Sequence, residues 1–530
     1  LEVSCLGYTS VTVEVAANQS DVAVVLQEDN LMLEETVVVG YGTQKKVNLT
    51  GAITAVRGDE IQNRTAHDVT SMLQGSVPGL NITASSGIMN ETPDINIRGY
   101  TSINGASPMV LIDGAEGDLS RVNAQDIESI SVIKDGAAAA IYGARAAFGV
   151  ILVTTKAGDE SKKATVRYSG RFGWQSPTTS TDFETRGYWS VHTINTFWGA
   201  RYPGERYLKY SDDDMNELLA RVNDVTENPA RPWVVEETAG GRKQWKYYGN
   251  TDWYHTLFSD NNPVQQHNLS VTGGGKNFKY FISGAYDRQQ GILRINPDIG
   301  NKYQFRARFE GRINKWATIS NNTSYYDQTY SYLGIGTSNI DRVFSMVTAH
   351  ALPVFPLRNP DDSWAYYSQY FVNSYAVGNG VHIMLSENKN KHIERKNDFA
   401  NTTEINITPI KQLRITGNFT FRKRRNHTTA RQTNFTYKQY PDDEPVIRDN
   451  GVGTNQLDEK ARTWSYLSAN AFATYEDTFG GHHVSAVAGV NYESQYTQYL
   501  EAIGYYLISD KLNDLSLAGT DRTGASKQYI

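Results

Sequence analysis

The sequence predicts a mainly β protein, in which long antiparallel strands of the membrane-barrel kind follow a compact α/β segment and the end of a small β-sandwich. Three observations carry this prediction. Strands of about ten residues or more alternate apolar with charged side chains, tight turns alternate with very long connections, and the composition is aromatic without being greasy. The 530 residues include 33 Tyr, 18 Phe and 9 Trp beside 44 Gly and 15 Pro, yet 20% are charged and mean hydropathy is −0.50. A chain of this length holds either several domains or one very large β body.

At the start, the runs Val11–Val15 and Val22–Leu26 are split by the turn-prone Asn18-Gln19-Ser20-Asp21. Residues 1–33 therefore read as the C-terminal end of an N-terminal β-sandwich extension. The chain opens in mid-strand with no visible leader, as expected of a chain that begins late or has been processed. Next comes Leu33–Gly42, an apolar β-branched run flanked by acids and glycines. It is too isolated to bury itself, so it is either a linker strand or bait for the sheet edge of another protein.

Residues 49–158 change to an α/β pattern. Asp68–Gln74 predicts a short helix stopped by Gly75 and Pro78. Ile95–Gly99 and Met109–Gly114 predict strands ending in turns. Asp126–Lys134 predicts a helical turn running into a strand, and Gly149–Lys156 the last strand.

Residues 159–530 alternate strictly over long stretches. In Tyr303–Ile313 the odd positions are Tyr303, Phe305, Ala307, Phe309, Gly311 and Ile313, and the even ones Gln304, Arg306, Arg308, Glu310 and Arg312. Thr165–Trp174 and Leu413–Arg422 repeat the pattern. Alternation alone does not separate a soluble sandwich from a barrel in lipid. Length and loops decide for the barrel: strands usually run to about five or six residues, whereas here nine longer ones are predicted, near 164–175, 264–273, 276–290, 301–313, 316–329, 392–408, 411–425, 462–478 and 482–499. Asn314-Lys315 and Pro409-Ile410 are short connections; 175–262 and 328–391 are long ones. An open edge in hydrocarbon leaves backbone groups unpaired at several kcal/mol each, so these strands are expected to be the first part of a barrel of about 22 strands.

Several function classes lose support. The longest apolar stretch, Gly136–Val153, contains Arg145 and falls short of a spanning helix of roughly 20 residues. A net charge of −6 offers no basic footprint for nucleic acid. The lone Cys5 forms no internal disulfide or CxxC site, and no apolar signal core precedes it to make it a lipoprotein cysteine. His482-His483 has no third ligand at a metal spacing. Gly273-Gly274-Gly275-Lys276 lacks the phosphate-loop spacing and reads as a hairpin turn. No nucleophile signature occurs, and a secreted carbohydrate-binding or adhesive β-protein is the alternative the strands alone leave open.

The sharpest signal lies in residues 95–156. Ile97-Arg98-Gly99, Val110–Gly114, Asp126–Ile130, Ala140-Ile141-Tyr142-Gly143 and Gly149–Lys156, in that order and spacing, resemble the plug of TonB-dependent transporters. Val37–Gly42 ahead of them, Lys134–Ala147 within them and the hairpin in Asn261–Gly291 resemble the SusC-type (SusC/RagA) branch in particular; Phe148 departs from it.

The resemblance implies an outer-membrane transporter without enzyme activity: an integral transmembrane β-barrel enclosing an internal α/β plug domain at 49–158, with the first barrel strands in 159–530. It implies a TonB box and linker at 34–48, with Glu35, Thr36, Val37, Val38 and Val39 as the box, for which a plain linker strand is the bland alternative. Arg98, Asp113, Glu128, Tyr142, Gly143 and Arg145 are then structural, because charges in a plug need ion pairs and glycines there set turns. Tyr100, Ser102, Asn104 and Asn90 in plug turns, with Trp364, Tyr366 and Tyr367 in a long excursion, are candidate substrate contacts, aromatic faces stacking on sugar rings. For the aromatics the competing reading is loop packing or a membrane girdle. The implied partners are a SusD-like surface lipoprotein, TonB with its inner-membrane motor proteins, outer-membrane lipid, and an imported oligosaccharide, with peptide cargo as the alternative. No cofactor or metal is expected.

Overall fold

The computed structural model describes residues 53–529 apart from 67, 85–88, 90, 98, 100–106, 135–145, 161–162, 179, 335–339, 371–375, 449–454 and 520–521, and before them 2–3, 11–12, 24, 36–39 and 42–45. Its main feature is one antiparallel sheet of ten strands in sequence order. They are β1 (Thr165–Gln175), β2 (Asn262–Gly275), β3 (Phe278–Gln290), β4 (Ile299–Asn314), β5 (Ala317–Leu333), β6 (Lys391–Ile410), β7 (Leu413–Gln432), β8 (Gln456–Phe479), β9 (His482–Gly504) and β10 (Arg522–Tyr529).

Nine of these are the strands read from the alternation. The tenth, β10, pairs with Thr497–Gly504 of β9, and its sequence Arg-Thr-Gly-Ala-Ser-Lys-Gln-Tyr has no apolar alternation to reveal it. At one end of the sheet, two-residue turns join β2 to β3, β4 to β5, β6 to β7 and β8 to β9. Gly480 and Gly481 make the last of these with φ of 54° and 91°, the double left-handed geometry a tight hairpin needs. At the other end lie the long excursions 176–261 and 334–390 and the shorter 291–298, 433–455 and 505–521.

The two faces differ as the alternation requires. Val166, Phe172 and Trp174 are 65%, 67% and 72% exposed on the outer face, while Arg306 and Arg422 on the other are 7% and 6%. Along β4 the outward Tyr303, Phe305 and Ile313 are all exposed. The outer face carries a polar island within its apolar band, Asn321 and Thr323 of β5 beside Asn401 and Thr403 of β6. The two amides bond each other (Nδ2 to Oδ1, 3.3 and 3.2 Å) and each donates to the neighbouring strand's hydroxyl, Asn321 to Thr403 (2.9 Å) and Asn401 to Thr323 (2.7 Å); the hydroxyls donate back to Asn321 and Asn401.

Against the charged face packs a five-stranded sheet, ordered Ile53–Arg57, Ile127–Ile133, Val150–Thr155, Met109–Ile112, Ala115–Glu116. Only Val150–Thr155 and Met109–Ile112 run parallel. Its core holds Val56, Ile61, Val69, Leu73, Ile127, Ile130, Val132, Ile151 and Val153. Helix Val69–Met72 begins at Asp68, whose carboxylate accepts from the Ser71 amide at 2.9 Å. Ala124–Asp126 is the helical turn expected before the strand. Gly58 is fixed by proximity, since a Cβ there would sit 2.0 Å from the Ile127 carbonyl oxygen.

Two expectations are revised. Thr36–Val39 is not a solitary strand: it pairs antiparallel with Gly42–Lys45, from Thr36↔Lys45 to Val39↔Gly42, so the hydrogen-bonding groups of one edge find partners within the chain. Glu128 is exposed at the bulge between Ile127 and Ser129, not a buried charge requiring an ion pair. Of the N-terminal sandwich, Glu2-Val3 pairs with Val11-Thr12; the rest of that reading lies outside the described residues.

The long excursions and the shorter 433–455 fold on one another into an aromatic core of their own, including Tyr210, Trp245, Tyr247, Trp253, Phe355 and Phe435. Hydrophobic burial thus fixes this end of the molecule, where bare loops would fray.

Candidate functional site at the contact of inner domain and sheet

Two charged clusters join the inner domain to the polar face of the large sheet. The first is built on the Asp113-Gly114 turn. Asp113 (φ 49°) and Gly114 (φ 83°) take the paired left-handed conformation for which Asp-Gly is suited. Connecting Ile112 to Ala115, the turn points the Asp113 carboxylate at the sheet. The carboxylate accepts from the Thr155 amide (2.9 Å), the Thr155 hydroxyl (2.6 Å) and Asn322 Nδ2 of β5 (2.6 Å). Arg306 and Arg308 of β4 approach at 3.4 and 3.6 Å, and Arg308 also donates to the Thr155 carbonyl at 3.0 Å. Arg306 lies 3.7 Å from the buried Asp126. Burial raises that carboxyl above the usual range, against the opposing pull of Arg306 and a hydrogen bond from Ser283.

The second cluster converges on Asp398 of β6, 4% exposed. Arg422 of β7 meets it with a two-pronged contact, Nε at 2.8 Å and Nη2 at 2.6 Å, and also donates to the Glu116 carbonyl of the inner domain. Arg424 reaches Asp398 at 3.1 Å while lying over the Trp464 ring. Arg121 of the inner domain bridges to it, contacting Asp398 at 3.3 Å and Asp118 at 3.0 Å. Burial alone would raise Asp118; Arg121 and then Ser120 outweigh it and hold the carboxyl below the usual range. Gln304 of β4 donates to the Arg121 carbonyl at 3.0 Å. Away from both clusters, Arg171 of β1 donates to the Arg64 carbonyl at 3.0 Å.

The contact is polar almost throughout. An interface of this kind holds firmly yet exposes no apolar surface when its halves part, because each separated group can exchange its partner for water.

Of the residues singled out from the sequence, Asp113 stands at the centre of the first cluster. Arg98, Tyr142, Gly143, Arg145, Tyr100, Ser102, Asn104, Asn90 and Glu35 lie outside the described residues. Trp364 and Tyr366 lie in the loop core, 8% and 5% exposed. Trp364 Nε1 donates to Glu387 at 2.7 Å; Tyr366 packs on Phe435 and Tyr437 and accepts from Arg448 at 2.9 Å. Their faces are used for packing, while Tyr367 is half-buried at the margin. Arg121, Asp398 and Arg424 escaped the sequence reading. Arg306, Arg308 and Arg422 were visible there only as a charged face, with nothing to name their partners.

Comparison with known proteins agrees with this architecture. Residues 45–150 match the family described as the TonB-dependent Receptor Plug Domain. The chain is 27% identical over 98% of its length to TonB-dependent receptor P26 of Formosa agariphila, covering 47% of that protein. To TonB-dependent receptor SusC of Bacteroides thetaiotaomicron it is 27% identical over 76% of its length, covering 37% of that protein. It spans about half the length of the curated relatives it matches over nearly its whole extent. In fold it is similar to a chain of the RagAB peptide importer, with a TM-score of 0.70, 22% identity, and coverage of 93% of this chain and 53% of that one.

Proposed function

We propose, on the premise that this chain belongs to the SusC-type TonB-dependent outer-membrane transporters, that it forms the plug and first barrel strands of an importer for a large nutrient, an oligosaccharide in the first instance. The observation that carries the proposal is the seating of the inner domain, at Asp113 and Glu116, on the polar face of a sheet whose opposite face is apolar. In this reading 1–33 ends an N-terminal extension, 34–48 is box and linker, 49–158 the plug and 159–530 barrel. Glu35–Val39 is the TonB box. Among the described residues Thr36–Val39 is paired along one edge only, which leaves the other for strand addition by TonB, whose grip by main-chain bonds needs no side-chain pocket. A pull transmitted to the plug then breaks the contacts at Asp113 and Asp398 without exposing greasy surface.

A SusD-like lipoprotein closes the loop-bearing end over the cargo. Plug residues Asn90, Tyr100, Ser102 and Asn104 and the loop residue Tyr367 contact it, with Trp364 and Tyr366 as the packed support behind. The work is mechanical and invokes no bound nucleotide. Peptide cargo is the second reading, favoured by the fold shared with a peptide importer.

Calorimetry of the full-length protein with its lipoprotein partner against oligosaccharide and peptide panels separates the two. Deleting Glu35–Val39 is expected to abolish uptake and leave ligand binding intact; loss of binding as well contradicts the role assigned to that segment.

A further inference from the structure

The register of the large sheet lines up one row of inward side chains across seven strands. Lys302 of β4, Lys396 of β6, Arg462 of β8 and Lys527 of β10 fall in it, and Gln328, Asn426 and Tyr499 of the strands between them fill the gaps. Cross-strand partners share a face, and Lys302 is followed by the exposed outer Tyr303, so the row lies on the inner face. It stands one pleat toward the loops from Gln304 and Asp398, which seat the inner domain through Arg121. A molecule entering from the loop side meets this row before it meets those contacts.

Cation and neutral side chain alternate along the row, and neighbouring strands lie about 4.8 Å apart, so positive charge recurs about every 10 Å. The acids nearby are engaged elsewhere. Asp287 of β3, opposite Lys302 in the same register, accepts from Gln266 at 2.5 Å. On the loop side of the row, Asp458 and Glu501 share Lys460 at 2.9 and 3.0 Å. Glu394 accepts from Tyr332 at 3.1 Å and lies 3.9 Å from Lys396. Arg462 and Lys527 are exposed and Lys302 is half-buried, and among the described residues none of these three makes a hydrogen bond or ion pair. A wet bore needs only polarity, which hydroxyls and amides supply; a run of cations of one sign along a wall concentrates ligands of the opposite charge.

We propose that Lys302, Lys396, Arg462 and Lys527 form a subsite for an acidic oligosaccharide, whose carboxylate or sulfate groups meet the cations while its hydroxyls meet Asn426 and Tyr499 between them. The proposal rests on the import reading above and names the class of cargo within it. The interval between cations is about the length of a disaccharide, so a chain with acid on alternate sugars engages several of them at once. An extended peptide presents side chains on one face about every 7 Å, out of step with the row. Asn426, half-buried, makes no hydrogen bond among the described residues. The Tyr499 hydroxyl donates to Glu501 at 2.9 Å and keeps its acceptor lone pairs. Gln328 is buried, accepts from Tyr326 at 2.6 Å and acts as a spacer. Open cations hold a single small anion weakly, because salt screens each contact; a chain that meets several in turn gains from each at high effective concentration.

The test is calorimetry on the full-length protein with its lipoprotein partner, using four probes of matched length: a uronic-acid oligosaccharide, a sulfated one, a neutral one and an oligoglutamate peptide. One or both acidic oligosaccharides are expected to bind about tenfold more tightly than the neutral one and the peptide, and to lose that advantage as salt rises. Substituting Lys302, Arg462 and Lys527 together by glutamine is expected to weaken the acidic ligand on the order of tenfold and to leave the neutral one unchanged. No binding of either acidic oligosaccharide, equal binding of the neutral probe or the peptide, or undiminished acidic binding by the triple variant overturns the subsite. If the triple variant does not fold, Arg462→Gln alone is expected to lose about threefold and Arg462→Lys to keep full affinity; no loss in Arg462→Gln overturns the subsite equally. The import reading fails separately: uptake of the acidic ligand that survives deletion of Glu35–Val39 counts against that reading, while calorimetry decides the subsite.

Discussion

Asp398 is the residue on which the seat of the inner domain turns. It is nearly inaccessible and meets three guanidinium groups, from Arg121, Arg422 and Arg424. Removing one partner of a buried pair leaves uncompensated charge and costs about 3–5 kcal/mol. Asp398→Ala is accordingly expected to lower the urea midpoint of the inner domain and open it to protease while the barrel stays intact; an unchanged midpoint would show that Asp398 does not hold the seat. Asp113 separates charge from backbone shape. Its φ of 49° is tolerated by Asp and Asn, and costs other side chains roughly 1–2 kcal/mol. Asp113→Asn should lose the attraction to Arg306 and Arg308 but keep the turn, whereas Asp113→Ala should lose both and be the less stable of the two in the same urea titration. The Asp-Gly pair made this turn legible in the sequence, but its partners were not: Asn322 and Arg306 are more than 190 positions away, and no local spacing encodes such a meeting.

At the scale of elements, the loop core carries its own pH dependence. His382, in the helix Val381–Ser386, is fully buried between Trp253 and Trp364 at ring distances of 5.2 and 5.8 Å. Its Nε2 carries the proton, since it donates to the Ala365 carbonyl at 3.0 Å. Burial depresses its pKa from 6.5 to about 3. A depressed folded value means stability that is present above pH 6.5 and lost as the pH falls toward 3, amounting to about 2 kcal/mol by pH 5. Tryptophan fluorescence of the full-length protein should therefore report loosening of this core between pH 6.5 and 4, and His382→Gln, which keeps a donor but does not titrate, should flatten the response. An identical profile for the variant would locate the transition elsewhere. This core was the part least visible in the sequence. Long excursions read as loops because their apolar residues, such as Tyr210 stacked on Tyr370 at 4.0 Å, follow neither helix nor strand period. The strands were the most visible, because one face meets lipid and the other charge; β10 was missed because it has neither pattern.

For the whole molecule, an outward apolar face and a polar inner contact predict a folded barrel that resists detergent. The full-length protein is expected to migrate faster on a denaturing gel unheated than boiled, and identical mobility would argue for a soluble β body. The sheet must also find the correct alignment of ten strands before it closes. A slip of one residue turns every side chain to the wrong face, but a slip of two restores the apolar pattern and escapes that penalty. The amides of Asn321 and Asn401 close that gap. In the native alignment every donor hydrogen of the Asn321, Thr323, Asn401 and Thr403 side chains is spent within the quartet. Displaced by one pleat in one direction, β5 and β6 would set Asn321 against Ile405 and Asn401 against Tyr325; in the other they would set Thr323 against Phe399 and Thr403 against Ile319, and either way polar hydrogens are stranded in hydrocarbon, at several kcal/mol for each unpaired group. The island works as a key cut for one lock position, and assembly in the bilayer can reject its nearest misalignment before the remaining strands arrive.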